Sequence, residues 1–273
     1  MREAAMSDMK AAPTIVVGVD GSRAATHAAV WAIDEAIERD IPLRLVYAID
    51  SRDARNAHDS DVAYAAARAA LFDARAAVEA TGRPVKVETE ILWGRPLTKL
   101  LDESRWAAMV CVGSLGRNHA LRGQGAVAAR LAGSALCPVA VVHQPPGAPA
   151  SPAVTAVVAQ VDNGSVLRHA FEQARMRGVA LRAICLRTPE APDDVVYQNR
   201  SARAQLSRRL ARWTRLYPDV PVESAVVRGG VERYLATDAE PGHVFVVDAC
   251  LADNLCGSYT AKSSILTVRC GNL

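Results

Sequence analysis

Two kinds of apolar spacing alternate along this chain. Thr14 to Asp20 (TIVVGVD) is a continuous apolar run closed by an acid, the pattern of a strand buried on both faces of a parallel sheet. Gly21 and Ser22 then supply a turn and a helix N-cap, and Ala25, Ala28, Ala29, Ala32, Ile33 and Ala36 recur at helical spacing. Ile41 to Ile49 predicts a second strand, Asp50 to Ala63 a variable connection, and Tyr64 to Ala80 a helix closed by Gly82. Val85 to Leu92 reads as a third strand, with Gly94 turning the chain and Pro96 suited to the first position of a helix. The stretch 108–142 contains a buried strand (Met109 to Val112), a loop with Gly113, Gly116, Gly123 and Gly125, a helix from near Gly125, and a last strand from Pro138 to Val142. Strand and helix thus alternate through five strands, and right-handed crossovers turn that order into a doubly wound parallel sheet, 3-2-1-4-5.

After Gln144 to Pro152 (QPPGAPASP), which suits neither a helix nor a central strand, the pattern returns. Val154 to Asp162 repeats the first strand and its terminal acid, and Asn163-Gly164-Ser165 repeats the turn. His169 to Ala183 answers Trp31 to Leu45 at a constant offset, with the interval from acid to helix four residues shorter, close to one helical turn. Glu223, Gly229, Leu235 and Asp248 each lie 135 positions after Glu88, Gly94, Leu100 and Gly113. So steady an offset indicates duplication. The expected organisation is a disordered tail at 1–12, a first α/β domain at 13–143, a linker at 144–152 and a degenerate second domain at 153–273.

The copies differ at one place. Gly113-Ser114-Leu115-Gly116 in the first becomes Asp248-Ala249-Cys250-Leu251 in the second, and the offset to the final strand (Ser264 to Arg269) falls to 127, so about eight residues of loop and helix are missing. Strand, glycine loop and helix start form a shape suited to phosphate: glycines let backbone approach a ligand, and free N–H groups attract an anion. Many such turns use glycine only to turn. In the second copy an aspartate would repel phosphate and the helix start is lost, so a nucleotide triphosphate is not expected there.

Composition narrows the classes. Of 273 residues half are apolar and 22% are charged, enough for two ordinary cores. A formal charge of +3 with basic residues spread along the chain does not support nucleic acid as the main partner. The arginines of 203–215 fit the solvated side of an amphipathic helix whose other face carries Ala202, Leu206, Leu210, Trp213 and Tyr217. Six cysteines without a CxxC pair read as small buried hydrophobes of a reducing compartment. No apolar leader and no run of eighteen apolar residues is present, so a cytoplasmic protein without membrane spans is expected. The six histidines show no metal-ligand spacing, and no serine or cysteine pairs with a histidine and an acid in the sequence, so neither metal nor catalysis is expected.

VVGVDGS near the start, LRLVYAID, CVGSLGR and ALCPVAVV, in this order, resemble the universal stress proteins, specifically the tandem-domain kind of actinobacteria. The resemblance spans nearly the whole chain and implies two tandem Rossmann-like domains of the adenine nucleotide alpha hydrolase-like type. Members that bind ATP carry Gly, two residues, Gly, nine residues, then Gly-Ser or Gly-Thr; here the second interval holds eight residues and Ala126 stands where the hydroxyl would be. By resemblance, Gly18, Val19 and Asp20 border adenine and ribose and Ala48 covers the ring. Val112, Gly113 and Gly116 lie against ribose and phosphates, and Gly125, Ala126 and Val127 offer N–H groups to the terminal phosphates. Arg117 or Arg122 would compensate for the absent hydroxyl by charged contacts. ATP, with or without Mg²⁺, is the implied cofactor.

Asp20 also fits a plain helix-capping acid, and the glycine loop an inherited, empty turn. The functional expectation is a cytoplasmic stress-response regulator binding an adenine nucleotide in its first domain, with hypoxia and dormancy implied by relatives in mycobacteria; the alternative is an interaction module acting through an unidentified protein partner. An adenylating enzyme is less well matched, because the place of its Ser-Gly-Gly-x-Asp-Ser loop reads Val19-Asp20-Gly21-Ser22. Val139 to Val142 and Ile265 to Val268 would be sheet edges, and exposed apolar edges pair. Such edges pair between subunits in single-domain members, so the tandem chain is expected to pair its own two as an internal pseudo-dimer, with a further homodimer through another face.

Overall fold

The computed structural model describes residues 12–50, 52, 57–114, 126–143, 153–161, 163–187, 195–252, 255 and 263–269. The first half contains β1 (Ile15–Gly18), α1 (Arg23–Trp31), α2 (Ile33–Glu38), β2 (Leu43–Ile49), α3 (Ala57–Glu79), β3 (Val87–Trp93), α4 (Pro96–Glu103), β4 (Met109–Gly113), α5 (Ala126–Ser134) and β5 (Val139–Val142). The second contains β6 (Ala156–Gln160), α6 (Gly164–Arg177), β7 (Ala180–Arg187), α7 (Val195–Leu216), β8 (Val222–Arg228), α8 (Val231–Thr237), β9 (His243–Asp248), a 3-10 turn (Ala249–Leu251) and β10 (Ser264–Val268).

Capping chemistry sets several of these boundaries. The Ser22 hydroxyl accepts from the Ala25 N–H at 3.2 Å and starts α1; Pro96 opens α4; Asn163 Oδ1 accepts from the Ser165 N–H at 2.8 Å and starts α6. One boundary differs from the sequence pattern. Helix α3 begins at Ala57, where a variable connection was expected, because its first turns are polar and carry no apolar period; Asp59 there favours the positive end of the helix dipole.

The strands form one ten-stranded sheet in the order β3-β2-β1-β4-β5-β10-β9-β6-β7-β8. Each half is parallel and follows 3-2-1-4-5, as expected. The halves meet where β5 and β10 pair antiparallel, with Val139 opposite Thr267 and Ala140 opposite Leu266. The expected pairing of the two edges is therefore present within the chain. The Thr267 hydroxyl, buried at this seam, donates to the backbone carbonyls of Ala132 and Val139.

Side chains alternate between two layers. Ile15, Val17, Leu43, Leu45, Met109 and Cys111 point to a core that continues without a break into Val157, Phe171, Leu181, Val244 and Leu206 of the second half. On the opposite face Val16, Val110, Leu100 and Leu131 make one cluster, and Val158, Tyr234, Phe245 and Ile265 another. Burial of each such large side chain contributes roughly 1.5–3 kcal/mol. One face thus binds the two halves into a common core, while the other carries two clusters, the first of which takes in Ala252 from the second half.

Candidate functional site

Strand order reverses between β1 and β4, and in open α/β sheets a ligand crevice lies at the carboxyl ends of the strands on either side of such a point. Gly18 of β1 stands in register with Val46 of β2 and with Val112 of β4. The structure therefore brings Gly18, Val19, Asp20, Ala48, Val112 and Gly113 to the carboxyl ends of three adjacent strands, on one edge of the sheet. Val19 and Val112 are buried, while Ala48 is partly accessible. Ala126 is the first residue of α5 and Val127, 40% exposed, lies in its first turn, where N–H groups have no partner within a helix. Gly116, Arg117 and Gly125, with Arg122 and His119, lie outside the described residues.

Local geometry explains several of these residues without a ligand. An Asp20 carboxylate oxygen accepts from the Ser22 N–H at 3.0 Å, bracing the turn that starts α1, while Gly21 takes the left-handed φ of 80° that this turn needs. A Cβ on Gly113 would lie 2.6 Å from the backbone carbonyl carbon of Ala24, so β4 and the start of α1 approach closely only because this residue has no side chain. A Cβ on Gly18 would stand 3.2 Å from both Leu100 and Val112. Packing is thus one reason for glycine at both positions.

Four residues at this edge carry no signal in the motif spacing. Asp50, buried at the end of β2, is gripped by Arg52, whose Nε lies 3.1 and 3.0 Å from its two oxygens and whose Nη2 lies 2.5 Å from one of them. Ser114, directly after β4, places its hydroxyl 3.3 Å from Nδ1 of His143 at the end of β5. Burial lowers the His143 pKa from its ordinary value, which favours the neutral imidazole, and the tautomer with its proton on Nε2 accepts from that hydroxyl at Nδ1. The His143 backbone N–H donates to the Ser264 hydroxyl at 3.1 Å, tying this edge to the second half. Ser114 and His143 are 29 positions apart in sequence and meet only because β4 and β5 are neighbours.

The corresponding edge of the second half is arranged differently. Asp248 stands where the first half has Gly113. One of its oxygens accepts from the Cys250 N–H at 3.0 Å and caps the 3-10 turn that replaces the glycine loop; the other lies 3.3 Å from the side-chain amide of Asn163. A carboxylate therefore takes up donors at this edge that would otherwise face an anion. Asp162 lies outside the described residues.

Cys111, Cys137, Cys185 and Cys250 are free thiols, and burial pushes Cys137 up to about 11 and Cys111 well above its ordinary value, so neither carries thiolate character at neutral pH. Among the described residues no group of three or more His, Cys, Asp and Glu side chains is placed to hold a metal, and no helix is long and apolar enough to cross a membrane.

A model described as the universal stress protein family matches residues 12–143. Universal stress proteins from two Mycobacterium tuberculosis strains are each 59% identical over 269 residues, covering 98% of this chain and 100% of theirs. Two further universal stress proteins of the same strains are 45% identical over 246 residues, covering 87% of this chain and 86% of theirs. Among solved structures, a universal stress protein from Archaeoglobus fulgidus superposes with a TM-score of 0.66 over 95% of this chain and 97% of its own, at 13% identity, which concerns the fold alone. A universal stress protein solved in complex with cAMP aligns to 48% of this chain and 97% of its own, at 26% identity and a TM-score of 0.35.

Proposed function

Since the chain belongs to the universal stress protein family, we propose that it is a stress- or dormancy-response regulator whose first half binds an adenine nucleotide, ATP with or without Mg²⁺, without turning it over. The base and ribose would lie against Gly18, Val19, Asp20 and Ala48. The phosphates would reach Val112, Gly113, Gly116 and Arg117 and the helix start at Gly125, Ala126 and Val127. The second half would act as a structural partner.

The single observation that carries this is the contrast between two equivalent positions. Gly113 brings no side chain to the end of β4, and farther along the chain a full helix begins at Ala126 with its first turn accessible at Val127. At the end of β9 the carboxylate of Asp248 caps a short turn instead. Loss of the hydroxyl at Ala126 costs one hydrogen bond, about 0.5–1.5 kcal/mol, which weakens rather than abolishes a site made mostly of backbone donors.

Calorimetric titration with ATP, ATP plus Mg²⁺ and cAMP tests the proposal. Saturable heat with at least one of them is expected, and Val127→Asp weakens binding of ATP by roughly tenfold or more, about 1.4 kcal/mol, because a carboxylate in the first turn repels phosphate while favouring the helix. Absence of heat at millimolar nucleotide overturns it. That result would favour the second reading, an interaction module acting through a protein partner, to which the packing role of Gly113 and the turn-bracing role of Asp20 already lend support.

A further inference from the structure

The repeated segments Trp31 to Leu45 and His169 to Ala183 make Trp31 equivalent to His169, Asp34 to Glu172, Glu35 to Gln173 and Arg39 to Arg177. In the folded chain Glu35 and Gln173 touch each other. The Gln173 side-chain amide donates to a Glu35 carboxylate oxygen at 2.6 Å, and both residues are buried, Gln173 at 2% and Glu35 at 0% exposure. Two equivalent residues in direct contact lie on the approximate twofold axis that relates the halves, the same axis that makes the β5–β10 pairing antiparallel.

Around that axis the polar groups are satisfied in a one-sided way. Glu35 accepts from Arg39 of its own half at 3.0 Å and lies 3.4 Å from Arg177 of the other. Arg177, its side chain 4% exposed, pairs with Asp34 at 2.5 Å, donates to the Gln173 carbonyl oxygen at 3.3 Å and stands 4.2 Å above the Trp31 ring. Asp34 also pairs with Arg83, and Arg175 reaches Glu38 at 3.9 Å. Gln173 therefore uses both ends of its amide, the nitrogen on a carboxylate and the oxygen on a guanidinium.

Three pairings of such halves can be compared. Two first halves would bring Glu35 against a second Glu35, two carboxylates that can meet only as like charges or at the cost of taking up a proton, in a site that water does not reach. Two second halves would bring two amides together and would deprive each Arg177 of one of its two carboxylates. One of each gives one carboxylate, one donor and a guanidinium with both partners. We infer that the face formed by α2 and α6 is a pairing surface that fits the unlike half and excludes a second copy of the same half, with the Glu35–Gln173 contact as its selecting element.

Urea unfolding of the full chain tests this, because single substitutions reproduce the rejected pairs in place. Gln173→Glu recreates the residue pair of two first halves and Glu35→Gln that of two second halves. Each is expected to lower the folding equilibrium constant by about tenfold or more. The exchanged double variant Glu35→Gln/Gln173→Glu is expected to recover to within about threefold of the parent, since it again places one carboxylate against one amide and Arg177 Nε already lies 3.3 Å from the side-chain oxygen of residue 173. Should Gln173→Glu fail to fold, recovery of folding in the double variant supports the proposal just as well. A single variant as stable as the parent, or a double variant no better than the worse single, overturns the proposal.

Discussion

Asp40 shows how one position can retain the backbone of its duplicate without retaining its residue. It closes α2 with a left-handed φ of 51°, and the equivalent Gly178 closes α6 at 63°. The surrounding hydrogen bonds are the same in both: Ile41 N–H to the Ala36 carbonyl and Val179 N–H to the Ala174 carbonyl, each at 3.0 Å. Only Gly178 takes this conformation free of a Cβ penalty. Asp40→Gly is therefore expected to raise stability by about 0.5–1 kcal/mol, and Gly178→Ala to lower it by a similar amount, read from urea midpoints at constant slope.

At the scale of elements, helix α7 decides between an ordinary surface and an anion-binding face. Leu206 and Leu210 are buried against the shared core, where Trp213 and Tyr217 stack on Phe171 at 6.0 and 5.3 Å, while Arg208 and Arg212 point to solvent. Leu210→Ala should cost about 2–5 kcal/mol and Arg208→Ala less than about 0.5 kcal/mol, measured by thermal or urea unfolding. The two faces of this helix were legible from spacing, as were the helix starts at Ser22 and Pro96, because each signal is local. Extension of α3 back to Ala57 was not legible, since an exposed helical turn has no apolar period. Nor was the reason for Gly113, whose neighbour Ala24 lies on another element, or the meeting of Ser114 with His143. Contacts of that kind exist only once strand order is set, so a motif with correct spacing leaves open whether its glycine serves a ligand or a helix. Gly116, Arg117 and Gly125, the middle of the predicted cradle, lie outside the described residues.

For the whole molecule, the two faces of the sheet make opposite statements about independence. The cluster around Tyr234 and Phe245 belongs to the second half and that around Leu100 and Leu131 to the first but for Ala252, whereas the core on the other face runs from Ile33 and Leu71 through to Phe171 and Leu206. Neither half can open without exposing that shared core and leaving the Arg177 guanidinium without Asp34. Unfolding is accordingly expected as a single transition, with calorimetric and van't Hoff enthalpies equal; two resolved transitions would refute this. The contact of Glu35 with Gln173 also bears on how such a chain diverges. Two identical subunits must present a palindrome to each other, so every substitution at their junction appears twice and has to suit itself. Joined in one polypeptide, the copies escape that rule, and a single exchange of acid for amide can settle a junction that no self-matching pair of these residues would satisfy.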